Sequence, residues 1–148
     1  MDKEKRDKAI AYLKIASKGL STAFVINTGC VLDSEPDFID KAIDDSPTEV
    51  IDLDKYTKVS DLWKRLHEAD PDKIWIVENV QLVKDDYVKE VVYFMMKREE
   101  YCPMCSGCKG YVDFDKCKII LISKGKNIVE AFPEYVRGRL LNSIFVEL

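Results

Sequence analysis

Short apolar runs separated by helix-like segments constrain the fold of this chain more than any single residue does. Thr22-Ala-Phe-Val-Ile-Asn27, Lys73-Ile-Trp-Ile-Val77, Lys118-Ile-Ile-Leu-Ile122 and Ser143-Ile-Phe-Val-Glu-Leu148 are nearly continuous in hydrophobicity, with a weaker run at Thr48–Leu53. A strand with one wet face alternates apolar and polar residues, whereas a strand covered on both faces reads as an unbroken apolar run. Between the runs lie segments with helical spacing. Residues 3–18 place Ala9, Ile10, Leu13 and Ala16 on one face and stop at Gly19. Residues 36–44 open with Pro36 in the first turn, and 59–69 follow Ser60, an N-cap with Asp61 beside it. Residues of about 84–100 are lined by Val88, Val91, Val92, Met95 and Met96, a spacing that belongs to a core face. A short helix is predicted near 127–131, with a further segment at 134–141. Strands alternating with helices imply right-handed crossovers and an α/β fold in three layers, a parallel sheet with helices on both faces. The 148 residues suit one domain, 1–148, with its own core.

One insertion interrupts this pattern. Cys102, Cys105 and Cys108 stand two residues apart, and Cys117 follows after eight more, so 101–117 has the spacing of a metal-binding lobe. Two-residue gaps let neighbouring thiolates wrap one ion while a longer gap brings in a fourth, and Gly107 and Gly110 supply turn freedom. The expected cofactor is a structural zinc, because four thiolates fill a tetrahedron and leave no position for a reacting water. An iron–sulfur cluster, disulfides or free thiols are the alternatives. The spacing also resembles the structural zinc lobe of alcohol dehydrogenases, over these residues alone.

Composition excludes other classes. No apolar run reaches the length of a membrane span, and the opening Met1-Asp-Lys-Glu-Lys-Arg-Asp-Lys8 carries too many acids for a targeting peptide, so a cytoplasmic location is expected. Net charge is −4, and an acidic chain overall argues against broad nucleic-acid affinity; the charge is uneven, with thirteen acids against five bases in residues 33–72 and seven Lys or Arg against four acids in 101–139, a pattern that reads as an ordinary solvated face or as one acidic and one mildly basic surface.

The run Ile74-Trp-Ile-Val-Glu78-Asn79-Val-Gln-Leu-Val83 resembles the Walker B strand of AAA+ ATPases, and its surroundings resemble clamp-loader subunits of DNA replication machines. Glu49-Val-Ile-Asp-Leu-Asp54 is similar to the segment before Walker B. Glu99-Glu100 stands where that family closes its next helix, Ser123-Lys124 follows the sensor strand, and Pro133-Glu-Tyr-Val-Arg-Gly138-Arg139-Leu140 replaces a proline-led segment carrying the arginine finger. The resemblance implies an AAA+/P-loop-NTPase-like core, partner subunits of the same class, and a contact with them through Arg139 and Arg137. Its departures matter more. A phosphate loop needs clustered glycines, a lysine for the β- and γ-phosphates and a hydroxyl for Mg²⁺. Here Asn27-Thr-Gly29-Cys30-Val-Leu-Asp33-Ser34 offers one glycine and no lysine before Lys41. Walker A is absent, and Walker B is degenerate: Glu78 is longer than the usual Asp, and Asn79 cannot act as a base.

The expectation is a non-catalytic, zinc-stabilised interaction subunit of a replication or related nucleic-acid assembly. One alternative is a nucleic-acid surface on the lobe, from Tyr101, Lys109, Tyr111, Lys116 and Lys118, although Asp113 and Asp115 oppose it. Another is a divergent nucleotide-binding ATPase using residues 27–34. The single histidine, His67, has no paired nucleophile, no serine sits in a Gly-x-Ser-x-Gly context, and Cys30 reads as a small hydrophobe.

Overall fold

The computed structural model describes residues 1–27, 29, 31–102, 110–125 and 143–148. Helix α1 (Lys3–Ser17) begins where the Asp2 carboxylate accepts the Lys5 N–H at 2.8 Å and ends at Gly19, whose φ of 74° closes the last turn. Strand β1 (Thr22–Asn27) occupies the predicted span. Of the predicted helix at 36–44 the structure forms α3 (Phe38–Ala42), shorter at both ends, and before Pro36 it adds a four-residue helix that was not predicted, α2 (Val31–Ser34). The chain leaves α3 through consecutive left-handed residues, Asp44 and Asp45, before β2 (Thr48–Asp52). Helix α4 (Val59–Glu68) buries Leu62, Trp63 and Leu66, and β3 (Ile74–Glu78) follows.

Helix α5 (Asp86–Lys97) starts where the Asp85 carboxylate takes the Tyr87 and Val88 N–H groups. It stops short of the predicted residue 100 because Arg98 turns left-handed at φ 59°. Glu100 then enters a two-residue strand, β4 (Glu100–Tyr101), that pairs antiparallel with β5 (Val112–Asp113). The Glu99-Glu100 pair therefore follows the helix and does not close it. The chain returns to the main sheet as β6 (Lys118–Lys124), and β7 (Ser143–Glu147) completes it. The predicted helical segments near 127–131 and 134–141 lie outside the described residues.

The main sheet is fully parallel in the order β2-β3-β6-β1-β7. One face presents Phe24, Ile51, Trp75, Val77, Ile119 and Leu121 to α4, α5 and the 3₁₀ turns. The other presents Ala23, Val25, Ile74, Ile76, Ile120 and Ile122 to α1 and α3. Odd and even positions of each strand are both buried, which is why the runs show no alternation. Each buried Leu, Ile, Val or Phe contributes roughly 1.5–3 kcal/mol, so the two layers give the sheet hydrophobic stabilisation of its own. No helix among the described residues is long and apolar enough to cross a membrane.

Candidate functional site

In an open parallel sheet, ligands bind beyond the carboxyl ends of the strands, where successive connections leave in opposite directions. Here that place lies between β1 and β6: β1 connects toward β2, while β6 connects toward β7 on the other side. Backbone amides that would cradle a phosphate there must be free. The Gly29 N–H is not, since it donates to the Leu148 carbonyl at 2.8 Å, and a Cβ on Gly29 would lie 3.3 Å from that same carbonyl group. Leu148 N–H in turn donates to Ile26 O at 2.9 Å, Gly125 N–H to Asn27 O at 3.2 Å, and the Asn27 side chain accepts from Leu32 N–H. The described part of the loop after β1 is thus a turn closed against β6 and the end of the chain.

The end of β3, where the sequence resembles Walker B, is occupied in a similar way. Asn79 adopts φ 60°, ψ 36°, a left-handed conformation that Asn tolerates better than most residues. Its Nδ2 donates to Asp52 Oδ1 at 2.7 Å, and Gln81 Nε2 approaches its Oδ1 at 3.4 Å. Gln81 Oε1 accepts the Lys124 N–H at 3.0 Å. One chain of polar contacts therefore ties the carboxyl ends of β2, β3 and β6 together, with Asn79 as its central link. Glu78 faces a shallow cavity of about 310 Å³ lined mainly by Leu32, Ile39, Val50, Ile76 and Ile122. Its charged groups, Asp40, Glu78 and Lys124, are two acids and one base, an unfavourable balance for a polyphosphate.

The cysteine lobe has a well-built floor. Trp63, from α4, is 2% exposed and meets Tyr101, Phe114 and His67 edge-on at 5.7, 6.4 and 5.3 Å. Its Nε1–H donates to Gly110 O at 3.3 Å, and Gly110 takes a φ of 106°, open to glycine at little cost. Tyr101 is stacked on Phe94 at 4.4 Å, so this ring is committed to packing and is not presented for base stacking. Lys118 reaches Asp72 O, and Lys116 lies 3.9 Å from Asp113; of the aromatics expected on that surface, Tyr111 alone is exposed.

Of the four expected metal ligands, Cys102 is half-buried and Cys117 buried, while Cys105 and Cys108 lie outside the described residues. The Cys117 Sγ–H donates to Asp113 O at 3.5 Å. Burial pushes this thiol up to about 11, Asp113 adds to the rise and Arg98 opposes it. A metal would have to displace that proton. Arg98, which donates to Asp115 O and Gly19 O, leaves one buried guanidinium nitrogen without a partner. Arg137, Arg139 and Cys30 also lie outside the described residues. His67 packs on Trp63 with its Nε2 buried and unpartnered. Neither the role of Arg98 nor the Asp52–Asn79–Gln81 chain was legible in the sequence, since each depends on residues brought together by the sheet.

No protein-family model matches the sequence, and neither does any curated protein. Solved structures do match. The RuvB Holliday junction branch migration motor of Thermotoga maritima superposes with a TM-score of 0.61 at 13% identity, the whole of this chain covering 45% of that one. NtrX of Brucella abortus, solved in complex with ATP, gives 0.57 at 12% identity, with 97% of this chain covering 36% of it. The chain therefore spans less than half the length of either. Both are AAA+ P-loop ATPases, and the core described above has an AAA+-like fold.

Proposed function

We propose that this chain is a non-catalytic AAA+-like interaction subunit, of the kind found among clamp-loader subunits, working in a replication or related nucleic-acid assembly and stiffened by zinc on Cys102, Cys105, Cys108 and Cys117. The closed turn after β1 carries this reading. Among the described residues, the Gly29 amide is already given to Leu148 and Asn79, at the position resembling Walker B, is held by Asp52, which supports a chain without a phosphate cradle or a water-orienting acid. A fold without its own nucleotide chemistry acts through what it contacts, and the resemblance assigns that contact to Arg139 and Arg137. The likeness to a branch-migration motor favours a nucleic-acid setting, and the packed Tyr101 disfavours direct base stacking by the lobe.

Calorimetry with Mg-ATP tests the reading. No binding and no hydrolysis are expected, and a micromolar dissociation constant would move the chain to the nucleotide-binding alternative. Elemental analysis should give about one zinc per chain, whereas iron, or no metal under reducing conditions, would remove the zinc component. Arg139→Ala should keep the fold and metal content but recover less partner than wild type from the native host.

A further inference from the structure

We propose that the open edge of β7 and the N-terminal half of α1 form a docking groove for an extended segment of a partner protein. The segment joins the sheet as a further strand, with a basic residue toward Glu4 and Glu147 and, two positions along, an acidic residue toward Lys5 and Lys8. This contact is separate from the one assigned to Arg139 and Arg137, and it depends on neither the zinc nor the nucleotide reading.

The backbone of β7 is arranged to accept such a strand. Leu148 N–H bonds to Ile26 O, in a register that sets Ile26 beside Glu147. Backbone groups alternate sides along a strand, so Ile144 and Val146 turn theirs toward β1 while Ser143, Phe145 and Glu147 turn theirs outward. Among the described residues nothing bonds to these outward N–H and C=O groups. The opposite edge of the sheet differs. Ile74 N–H bonds to Pro47 O, which by the same alternation turns Val50 outward, and Arg65 Nη2 donates to Val50 O at 3.1 Å. Natural sheets cap or charge an edge that is to stay unpaired. The β2 edge is capped in this way, whereas β7, Ser-Ile-Phe-Val-Glu, carries neither a proline nor a lysine.

Beside this edge lies a cavity of about 810 Å³ whose other wall is α1. Helix α1 ends just before β1 starts, and its Arg6 donates to Glu35, past the end of β1, at 2.8 and 3.2 Å, so α1 runs antiparallel to the strands. Asp2 and Glu4 therefore share the Glu147 end of the groove, Lys5 and Lys8 come next, and Tyr12 stands toward Ser143 with Lys8 Nζ 5.6 Å from its ring centre. Asp2 is committed to the Lys5 N–H, whereas Glu4, Lys5, Lys8 and Glu147 form no ion pair among the described residues. Two residues of strand advance about 6.6 Å and four residues of helix about 6 Å, so side chains on one face of an added strand keep step with Glu4 and Lys8. Charge segregated along a groove selects an occupant with the opposite order. A second copy of this chain does not supply it. Antiparallel pairing of β7 with β7 about a twofold axis sets the two lysine rows on the same face of the joined sheet, opposite each other.

Fluorescence polarisation with the full chain tests this, using the labelled peptide Thr-Lys-Val-Glu-Val-Leu-Thr and its reverse, Thr-Leu-Val-Glu-Val-Lys-Thr, which suit antiparallel and parallel addition. One of them should bind at micromolar concentration, and exchanging its Lys and Glu should weaken it about fivefold or more. N-methylation of one alternate set of its amides should cost about 10-fold or more, while methylation of the other set stays within about threefold, because only one set faces β7. Lys8 is exposed, so Lys8→Glu should fold normally. It should weaken the parent peptide and be rescued by a peptide whose Glu is replaced with Lys. No binding by either peptide, equal sensitivity to the two methylation patterns, or a Lys8→Glu variant indifferent to both peptides overturns the proposal. Concentration-dependent dimerisation that the peptide competes away would give the edge to a second copy and overturn it too. Zinc content and ATP binding are read separately, so failure here leaves the proposed function standing.

Discussion

Asn79 is the central link of the polar chain across the carboxyl ends of β2, β3 and β6, and its substitution yields separable quantities. Replacing it with Ala removes the 2.7 Å bond to Asp52 and leaves a Cβ residue without a local polar partner at φ 60°. The bond involves a carboxylate and is half-buried, so its loss costs about 1.5 kcal/mol, at the lower end for charged partners. The left-handed conformation costs Ala about 1 kcal/mol more. Asn79→Ala should therefore lose about 2.5 kcal/mol, whereas Asn79→Gly, free of the conformational term, should lose about 1.5 kcal/mol. With a urea dependence near 2 kcal/mol/M, the midpoints should fall by about 1.2 M and about 0.7 M. Asn79→Asp introduces a carboxylate but sets it against Asp52. It should be at least as destabilised as the Ala variant at pH 7 and recover as acid protonates one member of the pair, without any gain of ATPase activity. Buried Trp75 reports the transition by fluorescence. Equal midpoints for Ala and Gly would refute the conformational term, and an Asp variant as stable as wild type would refute the account of the polar chain.

Two further perturbations address other parts of the molecule. Glu49 is held below the ordinary carboxylate range by the Asp70 N–H and then by Arg65, at 3.1 and 2.9 Å. Because its folded value is depressed, its contribution is complete above the unfolded value near 4.5 and disappears as pH falls through the lower folded value. Glu49→Gln should cost about 1–2 kcal/mol at pH 7, with the gap to wild type closing in acid; a gap independent of pH would refute this. Trp63→Phe should keep the aromatic packing but lose the bond to Gly110 O, costing about 1 kcal/mol and raising hydrogen exchange in β4 and β5. Faster exchange to the same degree in β6 would show that the lobe and the sheet open as one unit.

The layered fold is legible in the hydrophobic runs, because strands buried on both faces leave a covered parallel sheet as their compatible arrangement; β1 falls on its predicted residues and β2, β3, β6 and β7 within two of theirs. The stretch from Asn27 to Ile39 holds one glycine, Gly29, and no lysine, the residues on which the expectation of no phosphate loop rests. Helix ends were less legible. Nothing in Met-Met-Lys-Arg-Glu-Glu stops a helix at Lys97. Arg98 ends it by bonding to Gly19, 79 residues away, and to Asp115. What the groups at the carboxyl ends of the strands bond to was not legible, because it follows from strand order. The Gly29 amide meets Leu148 because β1 and β7 are neighbours, and Asn79 meets Asp52 because β2 pairs with β3. Likewise Tyr101, which reads as a surface aromatic between charged residues, is drawn into packing with Trp63 and Phe94. Periodicity reports which face of an element is buried. The partner of a polar or aromatic group is set by strand order and register, which join residues far apart in the chain.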